Sequence, residues 1–182
     1  MRVFLTFGTA LVLLLKVTVF SSVYDFSIAG ISGETRQLST YNQKKLLIVT
    51  LPTVINEDNS TKLLKLDSLA KARKPDLSIV AVPSFEDGFT VLNKEQLKSW
   101  YQGHLDSSVF IADGSYTRKT SLDNQHPLFK WLTKSEQNGN FDLDVQNPFD
   151  KFFINSEGQL VAVLGAYIPF SSTSINKVLS MN

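Results

Sequence analysis

Two almost wholly apolar runs, Leu46-Leu-Ile-Val-Thr-Leu51 and Leu77-Ser-Ile-Val-Ala-Val82, flank a charged segment with helical periodicity, and this arrangement most restricts the fold. An unbroken apolar run of this length, closed by Pro52 or opened by Pro75-Asp76, suits a strand covered on both faces. Between the runs, Leu63, Leu66 and Ala70 recur at helical spacing, with Lys62, Lys65 and Lys71 among them, and Asn59 or Ser60 is placed to cap the start. The stretch from Lys45 to Val82 therefore reads as a β-α-β unit with a right-handed crossover, and the fold class is α/β.

The flanks extend this plan. Tyr24 to Glu34 alternates apolar and polar residues and turns at Ser32-Gly33, as an edge hairpin does. Lys94 to Gln102 reads as a helix and Ser108 to Ala112 as a third strand. His126-Pro127 opens a helix carrying Leu128, Phe129, Trp131 and Leu132, which runs to Asn138-Gly139, with proline at its start and glycine past its end. Phe149 to Ile154 and Gln159 to Tyr167 form a hairpin about Asn155-Ser-Glu-Gly158, and Ser171 to Met181 makes a last short helix. No repeat interrupts the chain, and 182 residues suffice for one domain with its own core.

Charge and termini bear on partners. Eighteen basic and seventeen acidic residues leave a net charge of +1, which gives no reason to invoke nucleic acid. Met1-Arg2, the apolar run to Leu15 and the small pair Ser21-Ser22 read as a secretory signal peptide over residues 1–22, with the domain over residues 23–182. The competing reading is an uncleaved anchor, and only then is a membrane a partner; Lys16 splits the run short of the ~20 residues a spanning helix needs. The expectation is export to a periplasmic or extracellular compartment, where Asn59-Ser-Thr61 would be a glycan acceptor in a eukaryotic pathway.

Four strings carry a family likeness in order and spacing: Val23-Tyr-Asp-Phe-Ser27, Lys45-Leu-Leu-Ile-Val49, His126-Pro-Leu-Phe-Lys-Trp-Leu132 and Phe149-Asp-Lys-Phe-Phe-Ile-Asn-Ser-Glu-Gly158. Together they resemble the glutathione peroxidases, which implies a thioredoxin-like fold of the glutathione peroxidase type: a central mixed sheet flanked by helices. The resemblance also implies a cysteine or selenocysteine nucleophile in the loop after the first central strand, activated beside a helix N-terminus. In this register Ile55 stands at the nucleophile and Asn56 where a glycine usually follows. Glu86 falls near the family glutamine, and Asn147 and Pro148 take the places of its tryptophan and asparagine. No cysteine exists anywhere in the chain, so no thiol replaces the one missing at Ile55. The resemblance thus implies a degenerate member with no catalytic position intact, and Pro148 stands where thioredoxins place a cis-proline.

Other chemistry finds little support in the residues. His104 and His126 are the only histidines, isolated from each other; His126 reads as a helix cap and His104 as a solvated turn residue, so no metal site and no cofactor is expected. Gly-x-Ser-x-Gly is absent, and Ser84 with Glu86 is the one acid–hydroxyl pair near the former pocket, read as a solvated loop. Glu57, Asp58, Glu86 and Asp87 are expected on loops facing that pocket, where they would suit a cation or amine. The preferred reading is an exported pseudo-peroxidase that binds another protein or a small ligand. Its rivals are an enzyme with non-thiol chemistry in the remodelled pocket, and a peroxidase or oxidative-stress role ascribed by family alone.

Overall fold

The computed structural model describes residues 21–181, so the leader reading lies outside the described residues except at Ser21 and Ser22. Five strands form the central sheet in the order β5-β4-β3-β6-β7: β3 Lys45–Leu51, β4 Leu77–Pro83, β5 Val109–Ile111, β6 Lys151–Ile154 and β7 Leu160–Leu164. β3, β4 and β5 run parallel, whereas β6 pairs antiparallel with both β3 and β7, so the sheet is mixed as expected. A separate hairpin, β1 Ser27–Ala29 with β2 Thr35–Gln37, leans on the β5 edge through the Gly30–Ala112 bridge. Its approach is a 3₁₀ turn at Val23–Asp25 rather than extended chain, because Ser22 Oγ accepts the Tyr24 N–H and the Ser22 N–H is bound by Asp25.

Both faces of the sheet are covered, which is why the strands are apolar without alternation. Leu47, Val49 and Leu51 pack with α1 (Glu57–Arg73), α2 (Lys94–His104) and α5 (Thr173–Ser180) through Leu63, Leu66, Trp100, Tyr101, Ile175 and Leu179. On the other face Leu46, Ile48, Val80 and Val82 meet α3 (Pro127–Thr133) through Leu128, Phe129, Trp131 and Leu132.

α2 runs on to His104 and α5 is confined to Thr173–Ser180, and two further differences from the sequence reading have a side-chain cause. α1 begins at Glu57 with Asn56 as its cap, since Asn56 Oδ1 accepts the Asn59 N–H at 2.8 Å; Asn59 and Ser60 lie inside the helix. The helix opened by His126 breaks at Lys134 into α3 and a short α4, Ser135–Asn138. An unbroken helix would give the Trp131 carbonyl to the Ser135 N–H, but the buried Asn138 amide takes it at 2.8 Å, and Thr133 bonds back to the Phe129 carbonyl. Gly139 then closes α4 in the left-handed conformation.

Candidate functional site

Three segments gather at the C-terminal ends of β3 and β4, the end of a parallel sheet where ligands commonly bind. The first, Pro52 to Asn56, joins β3 to α1. Its backbone is held by the Tyr101 hydroxyl on the Pro52 carbonyl at 2.7 Å, by the Asn59 amide on the Val54 carbonyl at 2.8 Å, and by Thr53 on the Asp87 carbonyl. So pinned, the segment displays Val54 and Ile55, which are 62% and 44% exposed. Ile55 lies on the approach to the α1 N-terminus and offers only a hydrocarbon surface there.

The second segment follows β4. Ser84 is fully buried rather than solvated, because its hydroxyl is shared between Glu86 Oε2 and the Thr117 hydroxyl. Glu86 also accepts the N–H groups of Thr117 and Arg118 at 3.0 to 3.1 Å and the Ser121 hydroxyl at 2.6 Å. Burial alone would push this carboxyl up; the hydrogen bonds from Ser121, Ser84, Arg118 and Thr117 outweigh it and bring the pKa down to about 2. Glu86 is therefore a permanently charged clamp with its oxygens occupied, and a poor acid or base. Asp87 pairs with Arg118, and Arg118 also reaches the Gln146 carbonyl at 3.3 Å. Burial pushes the Asp87 carboxyl up, against the pull of Arg118.

The third segment leads into β6. Asp150, buried, organises it by accepting the N–H groups of Gln146, Asn147 and Ala166. Thr50 completes the clasp, donating to the Asn147 carbonyl at 2.9 Å and accepting the Asp150 N–H at 3.1 Å. The peptide bond to Pro148 is trans. Phe149 then takes φ of 71°, rare for a bulky residue, and holds it through its own N–H on the Thr50 carbonyl and the Lys151 ammonium on its carbonyl, both 2.8 Å.

Of the residues singled out in the sequence, Ser84, Glu86 and Asp87 meet one another's partners on Thr117, Arg118 and Ser121. Glu57 and Asp58 remain on the exposed first turn of α1, where Asp58 pairs with Lys62 at 2.7 Å. Among the described residues no three His, Asp or Glu side chains are grouped as metal ligands would be. His126 caps α3, its ring nitrogen accepting the Leu128 N–H. His104 ends α2, half-buried, with Nδ1 2.8 Å from the Trp100 carbonyl and its ring edge-on to the indole, so it is not a solvated turn residue. Sequence reasoning missed Thr117, Arg118, Ser121, Asp150 and Lys151. For Thr117, Arg118 and Ser121 the one visible signal was a density of small hydroxyl and charged residues in the connection from β5 to α3; Asp150 and Lys151, at the start of β6, carried none.

No family model matches the chain. Glutathione peroxidase 1 of Caenorhabditis elegans is 29% identical over 154 residues, covering 80% of this chain and 87% of the relative. A probable phospholipid hydroperoxide glutathione peroxidase of Citrus sinensis is 30% identical over 144 residues, covering 78% and 83%. This chain belongs to the glutathione peroxidase family. Its fold agrees with that of solved structures: apo Trgpx superposes with a TM-score of 0.64 at 20% identity, over 88% of this chain and 97% of that one. The exposed lipoprotein thioredoxin Etrx1 of Streptococcus pneumoniae gives 0.57 at 20% identity, over 86% and 98%. The thioredoxin-like fold of the glutathione peroxidase type is thereby established. As a family member the chain is degenerate, since it holds no cysteine at all.

Proposed function

We propose that this glutathione peroxidase family member has given up peroxide reduction and acts as a binding module, with the loops beyond β3 and β4 as its contact surface. The carrying observation is Ile55, exposed beside the α1 N-terminus at the place where the family register calls for the nucleophile. Glu86, in the glutamine register, has its oxygens committed to Ser84, Thr117, Arg118 and Ser121, and Pro148 has no N–H to offer a reacting oxygen. Phe85 and Tyr116, whose rings lie 4.9 Å apart, add further exposed apolar surface from the loops after β4 and β5. Such a surface suits a protein or a small apolar ligand.

The rival, an enzyme using Ser84 and Glu86 without a thiol, is disfavoured by the full burial of Ser84 and the low pKa of Glu86, which makes it a weak base toward the hydroxyl and leaves it no proton to donate near neutrality. The same proposal takes the N-terminal segment, cut near Ser21 or Ser22, as an export leader, on the strength of the basic start and short apolar run.

The deciding experiment follows peroxide consumption by the purified protein with glutathione and with thioredoxin as reductants. Rates equal to the protein-free blank are expected. Turnover that co-purifies with the chain and survives removal of trace contaminants would end the pseudo-peroxidase reading. Val54→Ser with Ile55→Ser should then abolish capture of whichever partner the unaltered chain retains from the exported fraction.

A further inference from the structure

A second site lies away from those loops, where the outer face of α1 meets the β7–α5 connection. Here Phe149, Ala166, Ile168, Pro169 and Phe170 form the floor and walls of a cleft of about 200 Å³, with Lys62 and Lys65 at its rim. The floor is rigid. Phe149 and Phe170 pack edge to face with centroids 6.0 Å apart, and Phe149 is fixed by the backbone bonds that hold its left-handed conformation. Lys151, itself buried, lies beneath, with its ammonium 4.6 Å from the Phe170 ring centre.

Every charged side chain lining the cleft is a cation. Lys62 stands 5.8 Å over the Phe149 ring and is shared with Asp58, whereas Lys65 pairs with no carboxylate among the described residues. An apolar floor with an aromatic pair and a cationic rim is complementary to one kind of molecule: a compact apolar body ending in a single carboxylate. The size agrees, since the cleft falls below the roughly 300–1,000 Å³ of pockets for drug-sized ligands. We infer that this cleft binds a small apolar monocarboxylate, its ring or chain against Phe149 and Phe170 and its carboxylate on Lys65 and Lys62. The inference stands apart from the loop surface above, because none of the cleft residues belongs to the loops after β3 and β4.

The test is a titration of the ¹⁵N-labelled full chain with benzoate, followed by amide chemical shifts, with benzyl alcohol as the uncharged counterpart. Saturable shifts confined to residues 149 and 166–170 and the adjoining turn of α1 are expected, with benzyl alcohol weaker by about tenfold, the worth of a charge-assisted hydrogen bond. The exposed pair Lys62→Gln and Lys65→Gln should weaken benzoate by a similar factor, leave benzyl alcohol unchanged, and preserve the spectrum of the fold. Non-saturable shifts, shifts centred elsewhere, equal affinity for the alcohol, or full benzoate affinity in the double variant would each overturn the assignment. None of these outcomes depends on whether the chain consumes peroxide.

Discussion

Ser121 donates its hydroxyl to Glu86 Oε1 at 2.6 Å, tying the loop after β4 to the turn that precedes α3. With Ser84, Thr117 and Arg118 on the same carboxylate, one side chain locks the loop after β4 to the connection from β5 to α3. The site has become architecture, and the architecture can be titrated.

Glu86→Ala should cost about 2–4 kcal/mol, because it strands two hydroxyls and two backbone N–H groups in a half-buried setting. The pH dependence has a definite sign. The folded pKa is depressed to about 2 from an ordinary 4.5, so the stabilisation is complete above the ordinary value and is lost as pH falls toward 2. Chemical denaturation of the unaltered chain and of Glu86→Gln from pH 6 to pH 2 should therefore converge at the acid end; a constant difference would contradict the clamp.

Ile55→Cys places a thiol beside the α1 N-terminus, where the helix dipole favours a thiolate. Rapid alkylation is expected at pH 7, and stoichiometric oxidation by hydrogen peroxide. Sustained turnover with glutathione is not expected, since Glu86 is committed and Pro148 lacks an N–H. A peroxide-consumption trace with a burst and no steady state would check this.

Lys151 contributes a pH signature of the same sign in an alkaline window. Burial pushes its ammonium down to about 8, with Asp150 raising it and Lys62 lowering it further. Between about 8 and the ordinary 10.5 the unfolded chain holds a proton that the folded chain has released, so this residue's contribution to stability rises with pH. The unfolding free energy of the unaltered chain should gain on that of Lys151→Met from pH 8 to pH 10.

Ser21 and Ser22 are tied to the folded domain. The buried Trp131 indole donates to the Ser21 carbonyl at 2.7 Å, and Ser22 caps the turn that follows. A chain beginning at Val23 should be less stable than one beginning at Ser21 by about 1–3 kcal/mol, read as a Tm lower by roughly 2–4 °C for each kcal/mol.

Asn56→Ala removes the α1 cap and should cost about 1 kcal/mol. Ser60→Ala is a useful contrast: Ser60 lies within the helix and accepts the Trp100 indole N–H, so its effect comes through that packing contact.

Residue order alone determined the β-α-β unit, the apolar strands, the hairpin about Asn155 to Gly158 and the absence of a thiol, because these follow from periodicity, turn chemistry and composition, all local properties. Local signals also misled. Asn59 and Ser60 look like caps, yet the cap is Asn56, since which asparagine leaves the helix depends on how Thr53 and Val54 are pinned by Asp87 and Asn59. The helix from His126 reads as continuous, but Asn138 folds back onto the Trp131 carbonyl only because the tertiary fold buries it. Ser84 and Glu86 are two residues apart and look like a solvated loop; their partners Thr117, Arg118 and Ser121 lie more than thirty residues away from Ser84, and no pattern in the sequence announces that meeting. Only the tertiary structure decided that Glu86 is a clamp, that Lys151 is buried, and that Lys62 and Lys65 stand over an aromatic floor, because each depends on distant segments brought together by packing on the two faces of the sheet.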